Sequence, residues 1–234
     1  MEIRCHNELL SWLEANAEPA FARFSAALIP DLQRKMWGVR IPKLRALAQS
    51  LVKSDWQWAL REVLTTESLE EVLLRGFIIG YAKAEWTETW MEIRKFVPLI
   101  DNWEICDCCC SSFKSVRKHR EEVWPVLMQY LRSECVYNQR FAVVMMMDYF
   151  LTAEYIDAVL KAWSETVPKG YYVEMAIGWG LSVSFLSFPQ STLEVLRDES
   201  VPLACRKKAC QKILESRRTP EEWRTVIKTL KSKY

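Results

Sequence analysis

The chain has 234 residues and a mass of 27.5 kDa; half of the residues are hydrophobic, 26% are charged and six are glycine. This composition excludes disordered and collagen-like chains, and the longest apolar stretches fall far short of the roughly 20 residues that span a membrane. Few glycines disfavour turn-rich β folds, and neither GxGxxG nor GxxxxGK[ST] occurs. The first residues lack the apolar core of a signal peptide, so we expect a cytoplasmic protein without a membrane span.

Charge is unevenly distributed along the chain, although the net charge is only +2. Residues 55–110 hold eleven acidic and five basic side chains, whereas residues 197–234 hold eleven basic and five acidic ones. Segregated positive charge is typical of proteins that bind a polyanion. The alternative interpretation is a set of ordinary solvated helix faces.

Helical periodicity dominates the whole chain, with apolar residues at three- and four-residue spacing. A helix begins at Ile41-Pro42, because proline is tolerated in the first turn. Ser68 followed by Glu71 predicts a capping box at the start of the next helix. In chain order the later predicted helices are 68–82, 86–100, 103–113, 120–131, 139–150, 153–163, 171–185, 202–216 and 220–230.

The predicted helices form pairs that recur about every 35–40 residues, a rhythm typical of two-helix solenoid repeats. We therefore predict an all-α fold, an α-solenoid of two-helix repeats in a single domain over residues 1–234. Such a solenoid presents a concave face suited to an extended partner. An irregular helical bundle is the alternative.

The segment from Asp101 to Asp107 is the first candidate for chemistry. Asp101 and Asn102 are good N-caps, so a helix starting here puts Trp103 and Asp107 at i and i+4, about 5–6 Å apart on one face. A carboxylate beside an aromatic ring can hold a cationic group. A buried Trp with a nearby Asp is also common in helical cores, so this alternative stays open.

Two further positions lie on strongly apolar helices. Arg140 is predicted in the first turn of helix 139–150, where it would face either a phosphate or a partner carboxylate. Trp179 stands between Gly178 and Gly180, and each of these glycines costs a helix roughly 1 kcal/mol relative to alanine. Such glycines indicate a close approach to the backbone, either by a ligand or by a neighbouring helix.

Metal and thiol chemistry have less support. Cys106 and Cys109 form a CxxC, but no second pair completes a zinc site, so we expect no metal, and buried, reduced thiols instead. The two histidines, His6 and His119, give no plausible His-based nucleophile. We also expect no nucleotide or other cofactor.

Taken together, these segments resemble the AlkD-like DNA alkylation-repair glycosylases, a family built from HEAT-like helical repeats. The chain is similar to a divergent branch of it over nearly its whole length. Gly38 to Arg45 looks like part of the opening repeat, and Asp101 to Asp107 looks like the segment with the catalytic Trp and Asp. Arg140 matches a phosphate-contacting Arg, and Ile177-Gly178-Trp179 matches a second active-site Trp.

The resemblance implies a monomeric DNA-3-methyladenine/7-methylguanine-type glycosylase of base excision repair. It would hydrolyse the N-glycosidic bond of cationic N3- or N7-alkylpurines in double-stranded DNA. Asp107 would stabilise the oxocarbenium-like sugar and position water, with Trp103 and Trp179 packed on the sugar. The residues implied to contact DNA are Arg140, Phe24, Lys114, Lys207, Lys208 and Lys212.

Two other functions stay open. After Trp179 the chain runs Gly180 to Phe185, where the best-studied members carry charged and aromatic residues. A non-catalytic HEAT-repeat protein that binds damaged or branched DNA is therefore the main alternative. A helical-repeat scaffold for other proteins is the third.

Overall fold

The computed structural model describes residues 3–30 and 32–234, and in these residues the regular secondary structure is helical. Backbone pairing of the β type is limited, in the same residues, to Lys35 with Ser68. The predicted all-α class is confirmed. The helices are α1 (His6–Asn16), α2 (Pro19–Ala26), α3 (Ile41–Leu51), α4 (Trp56–Trp58), α5 (Leu69–Tyr81), α6 (Trp86–Phe96), α7 (Trp103–Cys110), α8 (Arg120–Leu131), α9 (Val136–Tyr149), α10 (Ile156–Glu165), α11 (Tyr171–Phe185), α12 (Pro189–Arg197), α13 (Leu203–Glu215) and α14 (Glu221–Lys231).

Shorter helical turns extend several of these elements. A π-helical turn, Ala59–Val63, continues α4, and 3₁₀ turns cover Val97–Leu99 and Lys114–Lys118. Across the described part of the chain, no helix combines the length and the apolar character that a membrane span requires.

Some of the predicted helix bounds hold and others do not. Helices α8 and α11 begin and end as predicted. Helix α9 begins at Val136, three residues before its predicted start, and its N-cap Cys135 makes no side-chain capping bond. Arg140 therefore lies in the second turn of α9, and its predicted place in the first turn is wrong.

The chain forms two compact units, one ending at Ser115 and one starting at Val116. Within the first unit α3 packs on α5 and α5 packs on α7. Within the second unit α9 packs on α11 and α11 packs on α13. Packing of alternate helices in a row is the arrangement of two-helix repeats. A single domain over residues 1–234 stays a prediction.

Helix α5 is the support on which α7 rests. Its start is the predicted capping box: Ser68 Oγ accepts from the Glu71 N–H at 3.3 Å, and Glu71 Oε2 accepts from the Ser68 N–H at 3.1 Å. A Cβ at Gly76 would lie 2.4 Å from the Cys109 sulfur, so only glycine lets α5 and α7 approach this closely. Close packing against α5 thus fixes the position of α7.

Candidate nucleic-acid interface

Helix α7 presents the predicted Trp–Asp pair at the surface of the first unit. Asn102 caps the helix, because its Oδ1 accepts from the Ile105 N–H at 3.0 Å. Trp103 is the first residue of the helix and Asp107 follows one turn later. Both are partly exposed, whereas Ile105 between them is buried. The Asp107 carboxylate is therefore not sealed in the core.

The end of α2 and the residues after it lie against the start of α7. The Trp103 Nε1–H donates to the Leu28 carbonyl at 3.0 Å, and Ser25 Oγ donates to Glu104 Oε2 at 3.3 Å. Phe24 and Leu28 are large apolar residues that are 64% and 50% exposed. We use the name α2–α7 face for these two residues together with Trp103 and Asp107 of α7.

A buried carboxylate holds the loop that leads to α3 against α2. The Glu70 side chain accepts from the backbone N–H groups of Trp37, Gly38 and Val39, at 3.1, 2.7 and 3.2 Å. Gly38 has a φ of +83°, and a Cβ there would lie 2.6 Å from the Glu18 carbonyl oxygen. Glycine is therefore required, and the loop supports the N-terminal end of α2.

Arg45 is a positioning residue that sequence reasoning missed. Its guanidinium donates to the Tyr81 hydroxyl at 2.6 Å, the Ser112 hydroxyl at 2.9 Å and the Cys108 carbonyl at 2.8 Å. It also lies 4.2 Å from the centre of the Phe77 ring. The cation thus ties α3 and α5 to the C-terminal end of α7, where it complements the helix dipole.

The thiols beside Asp107 are held in their protonated form. The pKa of Cys108 is raised to about 12, mainly by burial and also by the charges of Glu104 and Asp107, whereas Arg45 opposes these effects. Burial also raises the pKa of Cys109 well above its ordinary value. All eight cysteines lie in described residues and are free, and Cys106, Cys109 and Cys110 are buried as expected. Cys108 is partly exposed.

Within residues 3–30 and 32–234, no group of three or more His, Cys, Asp or Glu side chains could hold a metal ion.

Glu104 gives the α2–α7 face a pH-dependent element. Burial raises the pKa of this carboxyl, the hydrogen bond from Ser25 opposes that effect, and the charge of Glu70 adds to it. Because the folded-state pKa lies above the ordinary value of 4.5, the folded protein holds this proton more tightly than the unfolded chain. The stability that the bound proton contributes is fully present below pH 4.5 and is lost as pH rises through the folded-state pKa.

We expect Glu104→Gln to gain stability relative to the wild type as pH rises. Glutamine keeps an oxygen for Ser25 but carries no charge, so it escapes the cost of ionising a buried carboxyl. The free energy of unfolding in urea, measured for both proteins at about pH 4 and about pH 7, checks this. For Glu67→Gln, at an exposed position, the free energy of unfolding should differ from that of the wild type by the same amount at both pH values. A constant difference for Glu104→Gln would contradict the prediction.

In the second unit, neighbouring helices explain both glycines beside Trp179. A Cβ at Gly178 would lie 2.7 Å from the Lys208 Cβ and 3.0 Å from the Cys205 carbonyl oxygen, both on α13. A Cβ at Gly180 would lie 2.6 Å from the Trp163 ring of α10. Of the two alternatives left open by the sequence, close helix packing is the one observed. Trp179 itself is partly exposed on α11.

Arg140, on α9, is buried against the start of α11, with 5% of its surface exposed. Its guanidinium donates to the Tyr172 carbonyl at 2.6 Å. The Tyr172 ring is stacked with Tyr137, with ring centres 6.0 Å apart, and meets Tyr171 edge-on at 5.4 Å. Arg140 therefore holds the first turn of α11, and its predicted phosphate contact stays a prediction.

The predicted basic residues of α13 border an open groove of about 620 Å³ in the second unit. Lys207 and Lys208 line it together with Tyr171 and Lys231, and we call it the α11–α13 groove. Lys212, also on α13, is partly exposed, and Lys114 of the first unit is exposed. Arg206, on the same helix, is buried and donates to the Val201 carbonyl at 2.9 Å.

Stacked helix pairs, an exposed aromatic face beside a carboxylate, and a lysine-rich groove define an all-α protein suited to nucleic acid. A family model described as DNA alkylation repair enzyme matches residues 9–183. The chain belongs to this family, which confirms the resemblance in the sequence and gives the protein a role in the repair of alkylated DNA. No curated protein matches the chain. The match includes Phe24, Trp103, Asp107, Arg140 and Trp179, and ends before α13.

Proposed function

We propose that the protein is a DNA glycosylase that removes cationic N3- and N7-alkylpurines from duplex DNA. The observation that carries the proposal is the pair on α7: Trp103 and Asp107 stand on consecutive turns, partly exposed, within the region of the family match. A carboxylate next to an indole suits a group that becomes positively charged during a reaction.

The reaction needs little from the protein besides this pair. Alkylation leaves the purine positively charged, so the bond from C1′ breaks with its electron pair passing to the base, which leaves neutral. The sugar becomes oxocarbenium-like, and the Asp107 carboxylate stabilises that charge. A water oxygen then bonds to C1′ and its proton passes to Asp107. The face of Trp103 adds cation–π attraction.

The rest of the α2–α7 face would bind the lesion strand. Phe24 and Leu28 offer apolar area beside Trp103, whose indole is fixed by its bond to Leu28. Trp179 as a second aromatic surface for the sugar stays a prediction. Lys114, Lys207, Lys208 and Lys212 are proposed to contact phosphates, and each contact should add about −0.9 to the salt slope of duplex binding.

A non-catalytic DNA-binding protein is the second candidate. It is favoured by the burial of Arg140 and its bond to the Tyr172 carbonyl, since this guanidinium is already engaged within the protein. The residues Gly180 and Leu181 after Trp179 are also buried, so they offer no polar contact there.

Base release decides between the two candidates. The protein is incubated with duplex DNA containing 7-methylguanine, and the free base is measured by chromatography. Binding to the same duplex and to a four-way junction is measured in parallel. We expect release of 7-methylguanine. Salt-sensitive binding without release would contradict the glycosylase and support the second candidate.

A further inference from the structure

We propose that the α11–α13 groove binds an unpaired segment of DNA. The proposal takes from the proposed function only that DNA is the partner, and it does not depend on base release. It rests on the charge of the groove, on an exposed tyrosine at its edge, and on the rigid support behind that tyrosine. All of these features belong to the second unit.

The charge of the groove matches a phosphodiester strand. Lys207, Lys208 and Lys231 line it, and the described residues of its lining include no Asp or Glu. Its volume of about 620 Å³ lies in the range of pockets that hold small ligands, roughly 300–1,000 Å³, and is sufficient for a nucleotide. Besides Tyr171, the other residues that line it are Met175, Ala204, Gln211 and Tyr234, so the lining also includes apolar and hydrogen-bonding side chains.

Tyr171 gives the groove a surface on which a base can stack. Its side chain is 62% exposed at the first residue of α11. The ring of Tyr172 meets it edge-on and is itself stacked with Tyr137. Arg140 holds the backbone of this turn through the Tyr172 carbonyl. The exposed ring is therefore held in place before any ligand arrives.

A stacking side chain selects unpaired over paired DNA. In a duplex the faces of the bases are covered by their neighbours, so an aromatic ring can reach one only where a strand is unpaired. Lysines that track phosphates together with an aromatic ring are the combination used by single-strand binders. Of the residues that line the groove, Lys207, Lys208 and Lys231 lie beyond residues 9–183, whereas Tyr171 lies within the family match.

The test compares a labelled single-stranded dT oligomer with a duplex of the same length, by fluorescence anisotropy at several salt concentrations. We expect Tyr171→Ala to weaken single-strand binding about tenfold and duplex binding less than twofold. Tyr171→Phe, which keeps the ring, should bind like the wild type. Replacing Lys207 and Lys208 by Gln should reduce the single-strand salt slope by about 0.7 for each residue. Lys161→Gln on α10 is the matched control and should change neither quantity.

Three results would overturn the proposal. Unchanged single-strand affinity in Tyr171→Ala would show that the ring binds no base. An equal loss of duplex affinity in Tyr171→Ala would show that the ring serves duplex binding and does not select an unpaired strand. Competition by free thymidine monophosphate as strong as that by the strand would indicate a nucleotide site instead. Base release by Tyr171→Ala is measured separately. A variant that loses single-strand binding but releases base at the normal rate supports this proposal. A wild-type protein that binds single strands but releases no base contradicts only the proposed glycosylase activity.

Discussion

Replacing Asp107 with asparagine is expected to lower the rate of 7-methylguanine release about 100-fold or more, with duplex affinity nearly unchanged. The amide has the size and shape of the carboxylate, so α7 keeps its packing and Trp103 keeps its bond to Leu28. It carries no charge, however, and cannot stabilise a cationic sugar or accept the proton of the attacking water. Removing one preorganised electrostatic contact typically costs about 10²–10³ in rate.

The measurement is single-turnover release of the free base, with enzyme in excess over lesion duplex. Asp157→Asn, at an exposed position in the first turn of α10, is the matched control and should release base at the wild-type rate. Equal rates in Asp107→Asn and the wild type would remove Asp107 from the mechanism.

Replacing Glu70 with alanine is expected to lower the free energy of unfolding by about 3 kcal/mol. The substitution leaves the N–H groups of Trp37, Gly38 and Val39 without their shared acceptor, and each unsatisfied buried donor costs about 1–3 kcal/mol. Burial raises the pKa of Glu70, so losing the carboxylate also removes a desolvation cost and the full sum is not reached.

Urea unfolding at neutral pH checks the value. Glu67→Ala, three residues earlier and exposed, should change stability by less than about 0.5 kcal/mol. Because the loop at Gly38 supports α2, we also expect Glu70→Ala to weaken duplex binding through Phe24. A stability equal to that of Glu67→Ala would show that the three backbone bonds contribute nothing.

Local signals in the sequence predict the starts of α5 and α7. Asn102 caps α7, and Ser68 with Glu71 forms the box on α5, so the Trp103–Asp107 spacing followed from neighbouring residues alone. A capping side chain is not sufficient to explain which starts are predicted: α8, α9 and α11 all lack one, yet only α9 begins three residues before its predicted start.

The supports of the site could not be predicted, because their partners lie far apart in the chain. Glu70 binds backbone groups 31–33 residues away, and Arg45 reaches the end of α7 across 63–67 residues. No periodicity or end signal records such a pair. The burial of Arg140 escaped prediction for the same reason, since its partner carbonyl is 32 residues away.

The protonated thiols of α7 have a consequence for a protein that works amid alkylating agents. Such electrophiles react with a thiolate far faster than with a thiol. At neutral pH, Cys108 and Cys109 hold almost no thiolate, because burial disfavours it at both residues and the charges of Glu104 and Asp107 disfavour it further at Cys108. Alkylating reagents are therefore expected to react slowly at Cys108 and Cys109, the two thiols that follow Asp107 along α7.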